Sequence, residues 1–155
     1  MSRRFRWLPV GILSAGAALT LSLISHETAA LASDGRSGEV HIIKNCNNYT
    51  GMAGSHCTIA SSNLAEIPAG TTVFYDQAAG TPAGMLDSNV VLSVKTGDWA
   101  VGRCTLDLST GLGLCTFTDG VGSLAGLKAR FAVAPTGGNN FSWDGPYHFA
   151  LGNSD

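Results

Sequence analysis

The chain has 155 residues, of which 45% are hydrophobic and only 13% are charged, and its formal net charge is −2. Beyond the first 32 residues it contains no basic run, so nucleic acid and anionic lipid are not expected partners. The remaining length suits one domain with its own core and is too short for two ordinary domains.

The N-terminal segment has the three parts of a secretory signal peptide. Three arginines lie within residues 3–6, residues 7–24 contain no charged residue, and the small-x-small sequence Ala-Leu-Ala occupies residues 30–32. We therefore expect a cleaved signal peptide at 1–32, a mature chain beginning at Ser33, and a secreted protein. Two alternatives stay open at this point: a retained membrane anchor, because about 18 to 20 apolar residues can span a bilayer, and export by the twin-arginine route.

The mature domain at 33–155 is mildly acidic. Cleavage removes three arginines and one glutamate, which leaves six basic and ten acidic residues and a charge of about −4. We expect no nucleic-acid partner and, after cleavage, no membrane partner.

All four cysteines, Cys46, Cys57, Cys104 and Cys115, lie in the mature domain. An even number of cysteines in an exported chain indicates two disulfides, for which three pairings exist. A turn centred on residues 109–110 would place Cys104 directly opposite Cys115, within disulfide range. This arrangement favours Cys104–Cys115 and Cys46–Cys57. Free thiols or a metal site are the alternatives, but the chain has no Cys-x-x-Cys motif, so we expect no metal.

The mature sequence alternates between apolar and polar residues over short stretches, which is typical of strands. Such stretches lie at 40–42, 71–76, 89–95, 99–108, 112–118, 127–133 and 143–151. Segments rich in small residues at 45–62, 77–84 and 135–140 are predicted loops. Seven or eight short strands predict an all-β barrel or sandwich.

Motifs for known chemistry are mostly missing. Residues 120–125 fit the pattern G-x-G-x-x-A, but the sequence that follows alternates like a strand, which excludes a dinucleotide site. His41, His56 and His148 are far apart in the sequence and have no evident carboxylate companion. Residue chemistry alone thus identifies no catalytic group and no cofactor.

Several segments resemble the allene oxide cyclase and dirigent superfamily. The sequence CTFTDGVGSLAGLKAR at 115–130 is similar to the glycine-rich turn and following strand of that family. The sequences GTTVFYD at 70–76, VGR at 101–103 and YHF at 147–149 resemble further segments of the same barrel in the same order. The resemblance covers about residues 66–151. Within the superfamily, the chain most resembles bacterial secreted proteins with an allene oxide cyclase barrel-like domain.

The resemblance implies a single antiparallel eight-stranded calycin-like barrel that holds a hydrophobic small molecule. Plant members of the superfamily guide cyclisation or radical coupling largely by shape, so an enzyme of this kind would be an isomerase or cyclase without a cofactor. A barrel of eight strands can hold one small ligand, and holding a flexible substrate in a reactive conformation lowers its entropic barrier.

The resemblance also points to candidate site residues. Plant allene oxide cyclases carry an inward carboxylate on the first strand, whereas the inward position here is expected at Ile42, with Glu39 at the start of the stretch. Asp76, Asp87 and Arg103 are candidate counterparts of dirigent pocket residues. Five aromatic residues are further candidates for lining a ligand pocket: Tyr75, Trp99, Phe117, Trp143 and Tyr147.

Two functions follow as hypotheses. In the first, the barrel binds a hydrophobic small molecule and either carries it or cyclises or isomerises it. In the second, its own side chains fill the barrel, which acts as a non-catalytic secreted structural or interaction module. A homo-oligomer is compatible with both.

Overall fold

A computed structural model describes residues 36–95 and 97–150. The predicted signal peptide at 1–32 and its cleavage site at Ser33 lie outside these residues. Within them the chain forms eight strands: β1 Ser37–Asn45, β2 His56–Ser62, β3 Thr72–Tyr75, β4 Met85–Ser93, β5 Trp99–Asp107, β6 Gly113–Gly120, β7 Leu127–Gly137 and β8 Asn140–Phe149.

The strands form a closed antiparallel barrel in sequence order. Each strand pairs with the next one along the chain, and β8 pairs with β1 over nine residues, from Ser37 opposite His148 to Asn45 opposite Asn140. The predicted all-β fold with eight antiparallel strands is therefore confirmed. Closure leaves no open sheet edge, which is the region of a β-protein most prone to aggregation.

Alternating side chains fill the barrel. On β7, Leu127, Ala129, Phe131 and Val133 point inward and are buried, whereas the residues between them are exposed. The same period appears along β4, where every second residue is buried. Because successive side chains of a strand point to opposite faces, this period of two is what the sequence pattern predicted.

Several strand boundaries differ from prediction. Strand β2 lies inside the predicted loop at 45–62, β4 begins at Met85 rather than at residue 89, and β7 and β8 extend into the predicted loop at 135–140. Strand β2 has only two buried apolar residues, Cys57 and Ile59, so its own alternation is weak. Its position is set by pairing with β1 on one side and β3 on the other.

Both predicted disulfides are present, Cys46–Cys57 and Cys104–Cys115, and they use all four cysteines. Cys104 lies directly opposite Cys115 across β5 and β6, with the two Cα atoms 4.1 Å apart. In the turn between these strands, the Asp107 carboxylate accepts hydrogen bonds from the backbone N–H groups of Ser109 and Thr110, at 2.7 and 3.2 Å. The turn is thus centred where the cysteine pairing requires it.

The glycine-rich segment after β6 is a short 3₁₀ turn, Gly122–Leu124, followed directly by strand β7. Gly122 has a φ of +64°, a left-handed conformation that favours glycine. A dinucleotide site needs a helix here, whereas the chain continues as the strand that the alternation at 127–133 predicted.

Candidate ligand site at one end of the barrel

A cavity of about 110 Å³ opens at one end of the barrel. Strands β1, β3 and β5 end there, and β4 and β8 begin there, so a few residues from each meet around one space. The lining residues are mostly apolar or aromatic: Lys44, Cys46, Tyr49, Cys57, Tyr75, Leu86, Leu106, Asp107, Leu108, Gly111 and Phe141. Leu108, which is 46% exposed, marks the side that faces solvent.

Lys44 is the unusual member of this lining, because its side chain is inside the barrel and only 2% exposed. It follows Val40 and Ile42 on the inward face of β1. Its Nζ atom donates a hydrogen bond to the Tyr75 hydroxyl oxygen at 2.6 Å. The amine also lies 4.8 Å from the centre of the Trp143 ring and 5.5 Å from that of Phe141.

Burial lowers the pKa of Lys44 from 10.5 to about 7. The surrounding aromatic rings favour the charged form by about 0.5–2 kcal/mol, whereas taking an ion out of water costs several kcal/mol. Desolvation is therefore the larger effect. Near neutral pH the barrel contains a mixture of ammonium and neutral amine.

Lys44 has no carboxylate partner among the described residues, where ion pairs join Arg36 to Glu66, His41 to Asp144, and Arg103 to Asp87. The carboxylate closest to the site in the lining is Asp107, at the rim. Its Oδ1 atom accepts hydrogen bonds from the Ser109 hydroxyl and from the turn backbone, and these bonds lower the pKa of Asp107. The carboxylate at the rim thus makes its hydrogen bonds within the turn.

Two tyrosines complete the polar part of the cavity. Tyr75 is 1% exposed, and burial raises its pKa above the ordinary value, with a further contribution from Tyr49. The two rings pack edge to face with centroids 5.1 Å apart. The Tyr49 hydroxyl is buried and has no hydrogen-bond partner in the part of the chain that the structure describes, and burial raises the pKa of this group as well. Both hydroxyls therefore remain protonated at neutral pH and can donate to a ligand oxygen.

Three aromatic rings pack together inside the barrel. Phe117, Phe131 and Trp143 are each at most 1% exposed, and their ring centroids lie 5.5–5.8 Å apart. These three rings, the aromatic plug, fill the part of the interior that lies against β6, β7 and β8.

The predicted pocket residues fall into separate places. Tyr75 lines the end cavity, and Phe117 and Trp143 belong to the aromatic plug. Tyr147 is half-buried and packs on Phe149, whose ring centroid is 5.9 Å away.

The other four predicted residues lie on the outside of the barrel. Trp99 is 41% exposed, and Arg103 donates a hydrogen bond to Asp87 at 2.7 Å across β4 and β5. Asp76 and Arg103 border a groove of about 450 Å³ on the outer surface. On the first strand, Ile42 points inward as expected and Glu39 is exposed.

Lys44 was missed as a candidate by sequence reasoning. The available signal was its spacing, because Lys44 is two residues beyond Ile42 and four beyond Val40 on the same alternating strand. A cation at an inward position of a predicted barrel strand is rare enough to single out a site.

Searches against known proteins found no match for this chain among family models, curated proteins or solved structures. Within residues 36–95 and 97–150, no helix has the length and apolar character needed to cross a membrane.

Proposed function

We propose that this protein binds a small apolar molecule carrying a hydrogen-bond-accepting oxygen, with that oxygen directed at Lys44 in the end cavity. The observation that carries the proposal is a buried amine beside an open apolar space, with no carboxylate of the described residues bound to it. Burying such a group destabilises the fold unless it gains partners. A ligand oxygen supplies one.

The size of the cavity restricts the ligand. A dry cavity of about 150 Å³ accommodates benzene, and sites for drug-sized molecules span about 300–1,000 Å³. At about 110 Å³ this site accepts a chain of a few carbons, or the end of a longer molecule that projects past Leu108 into solvent.

Binding is favoured over shape-guided cyclisation of a long substrate. A cyclase of that kind holds the whole folded chain of its substrate, but the aromatic plug fills part of the barrel interior and the end cavity measures only about 110 Å³. The same plug supports a second candidate, a secreted structural module with a filled barrel. The two candidates differ in whether the end cavity takes up a guest.

Export and family membership are part of the proposal. Two disulfides suit an oxidising compartment, and the apolar run in the first 32 residues suits a signal peptide. The closed eight-stranded barrel is the architecture that membership in the allene oxide cyclase and dirigent superfamily implies. N-terminal sequencing of the exported protein should give Ser33 as the first residue. A retained first segment would contradict export by cleavage.

The binding proposal is tested with the isotope-labelled protein and butan-1-ol, followed by heteronuclear NMR. Chemical-shift changes should cluster at Leu86, Leu106 and Cys46, which line the cavity. Native mass spectrometry after mild extraction checks for a co-purifying ligand.

A matched pair of variants makes the NMR test specific. Leu108→Trp narrows the opening, whereas Leu112→Trp alters a residue of the same turn that is 54% exposed and does not line the cavity. We expect the first variant to lose the shift changes and the second to keep them. If the wild type shows no localised change and carries no ligand, the filled-barrel candidate is the right one.

A further inference from the structure

We propose that the ligand of the end cavity is an aldehyde or ketone, and that the Lys44 amine holds its carbonyl carbon as a reversible imine. This inference rests on the proposed function, because it requires the cavity to admit a small apolar guest. It adds the chemical class of the ligand and the atom that binds it.

The geometry distinguishes Lys44 from the other lysines of the described part. Lys95 and Lys128 are exposed, and Lys128 donates a hydrogen bond to the Thr118 carbonyl oxygen. Lys44 alone is enclosed by apolar walls and faces a cavity. An apolar enclosure both retains an apolar carbonyl compound and limits the water that hydrolyses an imine.

The protonation state near neutral pH suits this chemistry. Only the neutral amine is nucleophilic, and burial lowers the pKa of Lys44 to about 7. Three other titratable groups share the cavity. Tyr49 and Tyr75 stay neutral because burial raises the pKa of both. The Asp107 carboxylate accepts a hydrogen bond from the Ser109 hydroxyl in the turn. Within residues 36–95 and 97–150, Lys44 has no carboxylate partner that would stabilise its protonated form.

The reaction balances without an oxidant or a reductant. The nitrogen lone pair of Lys44 attacks the carbonyl carbon, a C–N bond forms, and the carbonyl oxygen takes a proton from the Tyr75 hydroxyl. Tyr75 regains a proton from the nitrogen, 2.6 Å away. The resulting carbinolamine takes up a second proton on its oxygen and loses one from nitrogen as it releases water. One amine and one carbonyl compound thus give one imine and one water.

The test uses butanal and sodium cyanoborohydride, which reduces an imine to a stable secondary amine. After incubation at neutral pH, intact-mass measurement should show one butyl group per chain, and peptide mapping should place it at Lys44. Lys44→Met should abolish this adduct, and Lys95→Met should retain it. Labelling spread over Lys95, Lys128 and the N-terminus with none at Lys44 would overturn the inference.

A non-condensing analogue separates failure of this inference from failure of the proposed function. Butan-1-ol has the same carbon chain as butanal and cannot form an imine. If both compounds shift the cavity resonances and no adduct forms at Lys44, only the imine is refuted. If neither compound shifts them, binding itself is refuted.

The role of Tyr75 as proton donor has its own readout. Tyr75→Phe keeps the ring and removes the hydroxyl, so adduct formation at Lys44 should slow by at least about tenfold at a butanal concentration that saturates the cavity. Adduct formation as fast as in the wild type would show that the hydroxyl transfers no proton in this step.

Discussion

Replacing Lys44 with methionine removes the buried amine and keeps a flexible, unbranched side chain in the barrel. In the folded protein burial lowers the pKa of Lys44 from 10.5 to about 7, whereas the unfolded chain has the ordinary value. Between these two values the unfolded state binds more protons, so the free energy of unfolding of the wild type rises with pH. The cost of the buried charge is fully present below the folded pKa.

The size of the effect follows from the lowering of the Lys44 pKa from 10.5 to about 7. At about 1.4 kcal/mol per pKa unit, burial of the charge costs roughly 5 kcal/mol in acid. From about pH 6 to about pH 9 the wild type should recover roughly half of this amount. Lys44→Met has no buried charge and therefore no such cost. It does remove the hydrogen-bond partner of the Tyr75 hydroxyl, which costs about 1–3 kcal/mol. The variant should therefore be more stable than the wild type at the acid end.

Urea unfolding followed by tryptophan fluorescence measures this difference across the pH range. The stability of the wild type relative to Lys44→Met should increase by roughly 2 to 3 kcal/mol from about pH 6 to about pH 9. Lys95→Met, which removes an exposed lysine, serves as the matched control and should follow the wild type. Parallel curves for the wild type and Lys44→Met would refute the desolvation of this amine.

Three further predictions concern the scaffold. Replacing both Cys104 and Cys115 with alanine opens a loop of 11 residues and should lower the free energy of unfolding by about 3 kcal/mol, measured in urea; an unchanged midpoint would contradict it. Phe131→Ala removes one ring of the aromatic plug and should cost about 3–5 kcal/mol, against less than about 1 kcal/mol for the exposed control Phe74→Ala; equal losses would show that the plug is not packed as described. Asp107→Ala should destabilise the turn at neutral pH, and because the pKa of Asp107 is lowered, the difference from the wild type should disappear as the pH falls through that pKa; a difference that persists in acid would contradict the carboxylate hydrogen bonds.

Much of the scaffold could be read from the sequence because its signals are local. Alternation along 127–133 predicted which side chains of β7 are buried, and turn residues at 109–110 predicted that Cys104 faces Cys115. The alternation of inward and outward side chains in a strand is visible within a few residues. The turn of a hairpin fixes the register of its two strands. The barrel and its disulfides therefore followed from short segments and a resemblance.

The site depended on contacts between distant segments. Strand β2 gains its place from two neighbouring strands, and the barrel closes only because β1 meets β8 about a hundred residues later in the chain. Lys44 reads in sequence as an ordinary cation, but Tyr75 from β3 and Trp143 from β8 enclose it. The pKa of an amine depends on how much water and which charges surround it. Only the closed barrel brings these side chains together around Lys44. The position of this lysine inside a cavity is therefore decided by the tertiary structure.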